Sequence, residues 1–171
     1  ILGVIHLKGL PGSPSNKLNL EEITELAQND IDNLSKAGVN GIIVENFGDV
    51  PFVKNDVSKR TVASLTSVIQ NLNIDSKLKL GVNVLRNDGI AALSIAEATN
   101  ADFVRINVLN NVMMFTDQGI IEGEANKIAE FNKSLNKDIE IFADVFVKHA
   151  VPPEGSKIEN HTEELINRAG A

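Results

Sequence analysis

Polar side chains recur at the ends of short apolar runs in this sequence. Arg105 and Asn107 occupy alternate positions of one run, and valine and isoleucine fill the positions between and around them. Alternate side chains of a strand share a face, so this run has one apolar and one polar face. The other runs place polar residues at comparable positions: His6, Glu45, Asn83 and Asp144. Carboxylates and imidazoles transfer protons and a guanidinium binds anions, so the pattern predicts acid–base chemistry on a small anionic molecule.

Loops after the same runs supply further candidates. The predicted catalytic residues, as general acids or bases or as a nucleophilic amine, are Glu45, Asp144, Lys148 and His149. The predicted ligand-binding residues are His6, Asn46, Asn83, Arg86, Asn87, Arg105, Asn107, Asp117 and Gln118. Arg105 and Lys148 are expected to hold the anion, which we expect to be a phosphate group of a small metabolite.

Several of these assignments have alternatives. One is a mutually satisfied network in which Arg105 pairs with Glu45 or Asp144. Another is a metal site with the ligands His6, Glu45, Asp144 and His149, but no tight ligand spacing supports it, so we predict no metal. A Schiff base at Lys148 needs a buried amine. Asn87–Gly89 opens a helix and offers an anion site, although Asp88 as a simple N-cap is favoured. The sequence identifies no cofactor.

The elements that must position these residues are apolar runs alternating with amphipathic stretches. Strands are predicted at Leu2–His6, Gly41–Glu45, Leu80–Val84, Phe103–Val108 and Ile139–Val145. Helices are predicted at Leu20–Ala37, after Ser58, at Asp88–Thr99 and at Gly123–Leu135, and a fifth helix is predicted to reach Arg168. Asn19 with Glu22, and Asn160 with Glu163, have the spacing of a capping box. Strand–helix alternation predicts parallel strands joined by crossover helices.

An open doubly wound sheet and a closed barrel both satisfy that alternation. A weak repeat spanning two strand–helix units favours the barrel, with similar residues at Ala37–Gly41, Thr99–Asp102 and Ala169–Ala171. A complete barrel needs about 250 residues. We therefore predict an α/β fold, a (β/α)8 TIM barrel truncated to about its first five units, as a single domain over residues 1–171. Barrel enzymes build their sites at the carboxyl ends of the strands, and by analogy we expect a lyase or isomerase step.

Composition narrows the classes of partner and compartment. The net charge is -7 and no basic stripe is present, so nucleic acid is not expected as a partner. The chain has no cysteine, which excludes disulfides and thiolate chemistry and fits a cytoplasmic protein. No apolar run reaches the roughly 18 residues of a membrane span, although peripheral membrane association stays open. Uncovered strand edges in a truncated barrel predict a homo-oligomer.

Several long motifs resemble the BtpA family and follow the same order over nearly the whole chain. They are Val4–Leu7 with Leu10–Pro14, Gly41–Asp49 with Pro51–Phe52, Gly81–Asp88, Ala101–Val108, Thr116–Gly123, and Ala143–Val145 with Val147–Ala150. The resemblance implies a TIM barrel and a link to photosystem I or membrane-complex biogenesis, with relatives also in organisms without photosynthesis and a branch linked to sugar metabolism. It also supplies the alternative function, a non-catalytic assembly factor for a membrane complex. In related barrels the last strands carry a phosphate site.

Overall fold

Eight strands are present in the computed structural model, which describes residues 1–171. They are β1 (Leu2–His6), β2 (Gly41–Glu45), β3 (Lys79–Asn83), β4 (Phe103–Ile106), β5 (Val112–Phe115), β6 (Gly119–Glu122), β7 (Glu140–Ala143) and β8 (Ala150–Val151). The main sheet has the order β1-β2-β3-β4-β7, and every neighbouring pair is parallel. The prediction of an α/β fold with sequential parallel strands is confirmed. β4 ends at Ile106 and β7 ends at Ala143, both earlier than predicted. The apolar runs that were used for the prediction continue beyond the last residues paired between these two strands.

Five helices connect or follow the strands. They are α1 (Leu20–Lys36), α2 (Lys59–Gln70), α3 (Gly89–Thr99), α4 (Ala125–Ser134) and α5 (Ile158–Glu164), which continues into a π-helical turn at Leu165–Ala169. None of them combines the length and apolarity that a lipid bilayer crossing requires. After α1, Gly38 has φ 79°, a left-handed conformation that glycine adopts without steric cost.

Local capping explains where most helices begin. Asn19 and Glu22 form the predicted capping box of α1, with hydrogen bonds of 2.8 and 2.9 Å. Ser58 and Asp88 cap α2 and α3 through their side chains. The capping box predicted at Asn160 and Glu163 is wrong. The turn that Ser156 closes on Pro153 lets α5 start earlier, at Ile158, without a side-chain cap.

The helices pack on one face of the main sheet. Ile5, Val44 and Val104 on that face are buried in the same cluster as Ile31 of α1 and Leu93 of α3. Full burial of each such side chain stabilises the fold by about 1.5–3 kcal/mol. The other face of the sheet carries the polar residues at the carboxyl ends of the strands. Towards its middle it carries Ile43, Phe103 and Phe142, and the two phenyl rings stack with centroids 4.5 Å apart.

A second, antiparallel sheet was not predicted. β5 lies at its centre and pairs with β6 and β8. Met113, Phe115 and Ile121 form a small core with Val108 and Val147. The sequence predicts loops in this region because the strands are only two to four residues long. The β5–β6 hairpin brings Asp117 and Gln118, which lie at its turn, towards the loop after β3.

Candidate functional site

The carboxyl ends of the strands carry polar residues at matching levels of the sheet. His6 is in register with Glu45, and Glu45 is in register with Asn83. Arg105 on β4 and the residues that follow β4 and β7 extend the row, because in-register side chains of parallel strands share a face. Hydrogen bonds and ion pairs link the six residues predicted to share this rim: His6, Glu45, Asn83, Arg105, Asn107 and Asp144. Alternation thus placed these side chains together, and their roles remain predictions.

Arg105 bridges two carboxylates. Its Nε and Nη2 donate to the two carboxylate oxygens of Asp144 at 2.9 Å, and its Nη1 donates to Glu45 Oε1 at 2.9 Å. Asn107 Nδ2 donates a further bond of 2.9 Å to Asp144. The hydrogen bond with Asp144 is the main cause that raises the pKa of Arg105, so the guanidinium stays charged. This part of the site therefore has the geometry of the mutually satisfied network described above.

Glu45 is the most buried carboxylate of the row, with 3% of the residue exposed. Desolvation raises its pKa above the ordinary value, although the charges of Arg105 and His6 act in the opposite direction. Its Oε1 accepts from Arg105, and its Oε2 lies 3.6 Å from His6 Nε2. One oxygen is thus fixed by a cation, while the other faces a group that can exchange a proton.

His6 is held against an aromatic ring. Its imidazole stacks on Phe47 with ring centroids 4.2 Å apart and an angle of 17° between the planes. Phe47 lies two residues after the end of β2, so this strand and the segment that follows it supply both the carboxylate and the ring that orient His6. The stack fixes the imidazole plane, and the His6 side chain stays half exposed, in reach of a ligand.

Arg86 forms a second cationic group in the loop after β3. Its guanidinium lies over the rings of Phe52 and Phe115, 4.4 and 5.1 Å from their centroids. Nε donates to Gln118 Oε1 at 3.3 Å, and Nη2 lies 3.9 Å from Asp117 Oδ2. Burial lowers the pKa of Arg86, opposed mainly by the charge of Asp117. Three predicted ligand-binding residues therefore lie together, apart from the Arg105 network.

A cavity of about 240 Å³ lies between the two groups. Its walls come from β1, β2 and β4 and from the loops after β3 and β7. The cavity is lined by His6, Glu45, Phe47, Leu85, Arg86, Arg105, Asn107, Val147, Lys148 and His149. Lys148 and His149 are exposed and lie at its border. Basic side chains outnumber the acidic one around this space, so its electrostatics favour an anionic ligand.

Asn46 and Asn87 use their side chains to bridge backbone segments. Asn46 Oδ1 accepts from Leu85 N at 2.7 Å, and its Nδ2 donates to Asp49 Oδ2 at 3.1 Å. Asn87 makes a reciprocal pair with Val108, accepting from its N at 2.7 Å and donating to its O at 3.0 Å. These contacts position the loops around the cavity. The ligand-binding roles predicted for both residues remain predictions, with their polar atoms engaged in the fold.

The structure also bears on the N-cap role of Asp88, the metal site and the Schiff base at Lys148. Asp88 accepts from Ala91 N and Val57 N at 2.9 Å each, so it serves as the N-cap of α3 and also holds the loop before α2 in place.

No three histidine or acidic side chains lie close enough together to hold a metal ion. The metal set of His6, Glu45, Asp144 and His149 is therefore not assembled. Lys148 is exposed, whereas a Schiff-base amine needs burial.

The aromatic residues of the site are not among the site residues predicted from the sequence. Phe47, Phe52 and Phe115 orient His6 and Arg86, and only Phe47 and Phe52 fall within the family-like motifs. The available signal was a phenylalanine directly after the Glu45–Asn46 pair. Phe115 had no comparable signal, because its place depends on the unpredicted β5–β6 hairpin.

Comparison with known proteins gives a family match over the whole chain. The sequence model described as the BtpA family matches residues 1–171. An uncharacterized protein of Thermococcus kodakarensis is 52% identical over 151 residues, which cover 88% of this chain and 57% of that protein. An uncharacterized protein of Pyrococcus horikoshii is 46% identical over 171 residues, which cover 100% of this chain and 64% of that protein.

A named relative comes from a cyanobacterium. The photosystem I biogenesis protein BtpA of Synechocystis is 44% identical over 168 residues, which cover 98% of this chain and 58% of that protein. The chain thus spans between 57% and 64% of the length of these three relatives. No solved structure shows significant similarity to the chain.

Proposed function

The chain belongs to the BtpA family, and we propose that the cavity at the carboxyl ends of its parallel strands binds a small, phosphorylated metabolite and transfers a proton within it. One observation supports this proposal above all: Glu45 is a buried carboxylate at the cavity wall, and the oxygen that Arg105 does not bind faces His6. A lyase or isomerase step that begins with proton abstraction beside a carbonyl group fits such a base. The predicted cytoplasmic location and homo-oligomeric state belong to the same proposal.

Glu45 is a better candidate for the base than Asp144. Both oxygens of Asp144 accept hydrogen bonds from Arg105, and one of them also accepts from Asn107. These bonds occupy both oxygens and leave Asp144 to orient Arg105. Glu45 has one engaged oxygen, and desolvation raises its pKa, which makes the carboxylate a stronger base at neutral pH. His6, at 3.6 Å, is placed to relay the proton.

We also propose that the parallel sheet is part of a (β/α)8 barrel that the first five strand–helix units do not complete. The sequential strand order supports this, because a doubly wound sheet would reverse its order. The apolar residues Leu2, Val4 and Phe142 on the sheet face opposite the helices are also exposed, as expected for an incomplete barrel interior. Further strands would close the cavity and add ligand contacts.

The alternative function is a non-catalytic assembly factor for a membrane complex. The name of the Synechocystis relative, a photosystem I biogenesis protein, favours it. An assembly factor needs a binding surface, but it has no requirement for a buried carboxylate of raised pKa at a cavity wall. The site geometry therefore favours the enzyme, and the two functions differ in whether Glu45 acts on a bound metabolite.

Deuterium exchange tests the proposal directly. A panel of carbonyl sugar phosphates is incubated with the protein in D2O, after thermal-shift screening selects those that bind. We expect deuterium to enter the carbon beside the carbonyl of at least one compound. Glu45→Gln should abolish this exchange, and the exposed Glu25→Gln should retain it. Binding without exchange in the wild-type protein would exclude proton transfer and favour the assembly factor.

A further inference from the structure

The Arg86 guanidinium is buried without the partners that a buried cation normally has. Only 7% of the residue is exposed. Its single hydrogen bond runs from Nε to the neutral amide oxygen of Gln118, at 3.3 Å. Asp117 is the nearest carboxylate, but it lies 3.9 Å from Nη2 and its side chain is 47% exposed. Nη1 and Nη2 therefore have no charged hydrogen-bond partner, which is unusual for a buried guanidinium.

Arg105 shows the contrast within the same cavity. It is less buried, with a side chain 30% exposed, yet it has three hydrogen bonds of 2.9 Å to two carboxylates. An anionic ligand gains little from a cation whose charge is already balanced. Arg86 lines the same cavity with its charge far less balanced. The anion predicted to bind Arg105 therefore has a better partner in Arg86.

Gln118 adds a second unsatisfied donor beside Arg86. A guanidinium can only donate, so the Gln118 oxygen must face Arg86, and the amide orientation is determined. That orientation leaves Gln118 Nε2 buried with no hydrogen-bond partner. Leaving a buried donor unpaired destabilises the folded state, because the donor has lost its hydrogen bonds to water without replacement. Two neighbouring groups thus lack the same kind of partner, an oxygen acceptor.

The aromatic residues explain how Arg86 stays in place without such an acceptor. Phe52 and Phe115 lie within 4.4 and 5.1 Å of the guanidinium carbon and contribute cation–π attraction. Ring faces do not accept the in-plane N–H groups, so the outer edge of the guanidinium remains available. The geometry of a planar, pre-oriented fork suits the paired oxygens of a phosphoryl or carboxylate group.

We propose that Arg86, held in place by Gln118, is the oxyanion subsite of the cavity and binds the phosphoryl or carboxylate group of the substrate. This assignment rests on the proposed function of the cavity. It places the anion at the loop after β3, on the β5–β6 hairpin side, while Arg105 holds Glu45 and Asp144 in position. Lys148 and His149 at the cavity border add positive charge near the same ligand.

The test uses the side-chain Nε–Hε resonances of the four arginines, Arg60, Arg86, Arg105 and Arg168. Inorganic phosphate and acetate are titrated separately at constant ionic strength. We expect a saturable shift of the Arg86 resonance, and comparison of the two anions distinguishes a phosphoryl from a carboxylate subsite. Arg86→Lys assigns the resonance and should weaken binding about tenfold, because it keeps the charge but loses the fork. Arg60→Gln, at an exposed position, should bind as the wild-type protein does.

Gln118→Glu gives an independent readout that does not require loss of Arg86. A carboxylate at this position pairs with the guanidinium, so the variant should melt at a higher temperature and lose the saturable response to both anions. Absence of an Arg86 response to either anion in the wild-type protein overturns the inference. A response of His6 alone overturns it too, and leaves the proposed function standing. An Arg86 response without Glu45-dependent deuterium exchange supports the subsite and rejects proton transfer.

Discussion

Arg105 and Asp144 form a bidentate ion pair in which Nε and Nη2 reach the two carboxylate oxygens at 2.9 Å each. The pair joins adjacent strands, since Arg105 lies on β4 and Asp144 follows β7 directly. The remaining nitrogen of the fork reaches across to Glu45 on β2. One guanidinium therefore connects three strands at the end of the sheet where the cavity opens, and it determines where Glu45 presents its free oxygen.

Replacing Arg105 should destabilise the protein. Arg105→Met leaves Glu45 buried without its cation, and we expect the free energy of unfolding to fall by about 2–3 kcal/mol. The partial exposure of Arg105 keeps the loss below that of a fully buried pair. Urea unfolding at neutral pH measures it. Arg168→Met, which breaks an exposed pair with Glu164, is the control and should change stability by less than about 1 kcal/mol.

The double variant Glu45→Gln with Arg105→Met tests the cause. Removing the buried charge together with its partner should recover part of the stability that Arg105→Met loses. If the double variant is as unstable as the sum of the two single variants, the loss comes from packing and not from an uncompensated carboxylate.

The pH dependence of stability should reveal the raised pKa of Glu45. Because its folded-state pKa lies above the unfolded value, the folded state holds the proton more tightly. The stabilisation is fully present below the unfolded pKa and is lost as pH rises through the folded pKa. Wild-type protein should therefore lose stability relative to Glu45→Gln as pH rises from the ordinary carboxyl range through the raised folded-state pKa. Urea unfolding across that range measures the difference, and Glu25→Gln serves as the exposed control. A difference that grows in favour of the wild type would show that Arg105 outweighs desolvation.

Strand order and the polar rim could be predicted from the sequence because both depend on local periodicity. Alternation in 104–108 assigns Arg105 and Asn107 to one face whatever the rest of the chain does. The parallel direction of the strands then places their carboxyl ends at one edge. The bidentate geometry of Arg105 could not be predicted, since it requires the register between β4 and β7, which no local pattern contains.

The surroundings of Arg86 were beyond prediction for a related reason. Its burial depends on Phe115, and Phe115 is positioned by an antiparallel sheet whose strands are only two to four residues long. Such runs are too short for their periodicity to distinguish a strand from a loop. Asn46 and Asn87 are predicted to bind ligand because they are polar residues that follow strands, and the sequence does not show that their side chains also bridge backbone segments.

Asn87 offers a test of backbone bridging at the cavity. Its side chain donates to Val108 O and accepts from Val108 N, as a neighbouring strand would. Asn87→Ala should lower the free energy of unfolding by about 2 kcal/mol. Asn87→Asp should be worse at neutral pH, because it places a carboxylate oxygen against the Val108 carbonyl. Chemical denaturation of both variants provides the measurement. Equal stability of the wild type and Asn87→Asp would contradict the bridging role.

Gly81 lies directly against the ring of Phe103. A Cβ at Gly81 would overlap the Phe103 ring, which stacks on Phe142 across the open face of the sheet. Gly81→Ala should therefore cost about 1–3 kcal/mol through overpacking, and Phe103→Leu in the same chain should recover part of that loss. Thermal and urea unfolding of the two single variants and the double variant measure the coupling. Gly155→Ala is the control, because its φ of 81° makes alanine unfavourable but no atom lies near its Cβ. That variant should lose about 1 kcal/mol, with no recovery from Phe103→Leu. Strict additivity of Gly81→Ala and Phe103→Leu would show that the ring does not restrict the glycine.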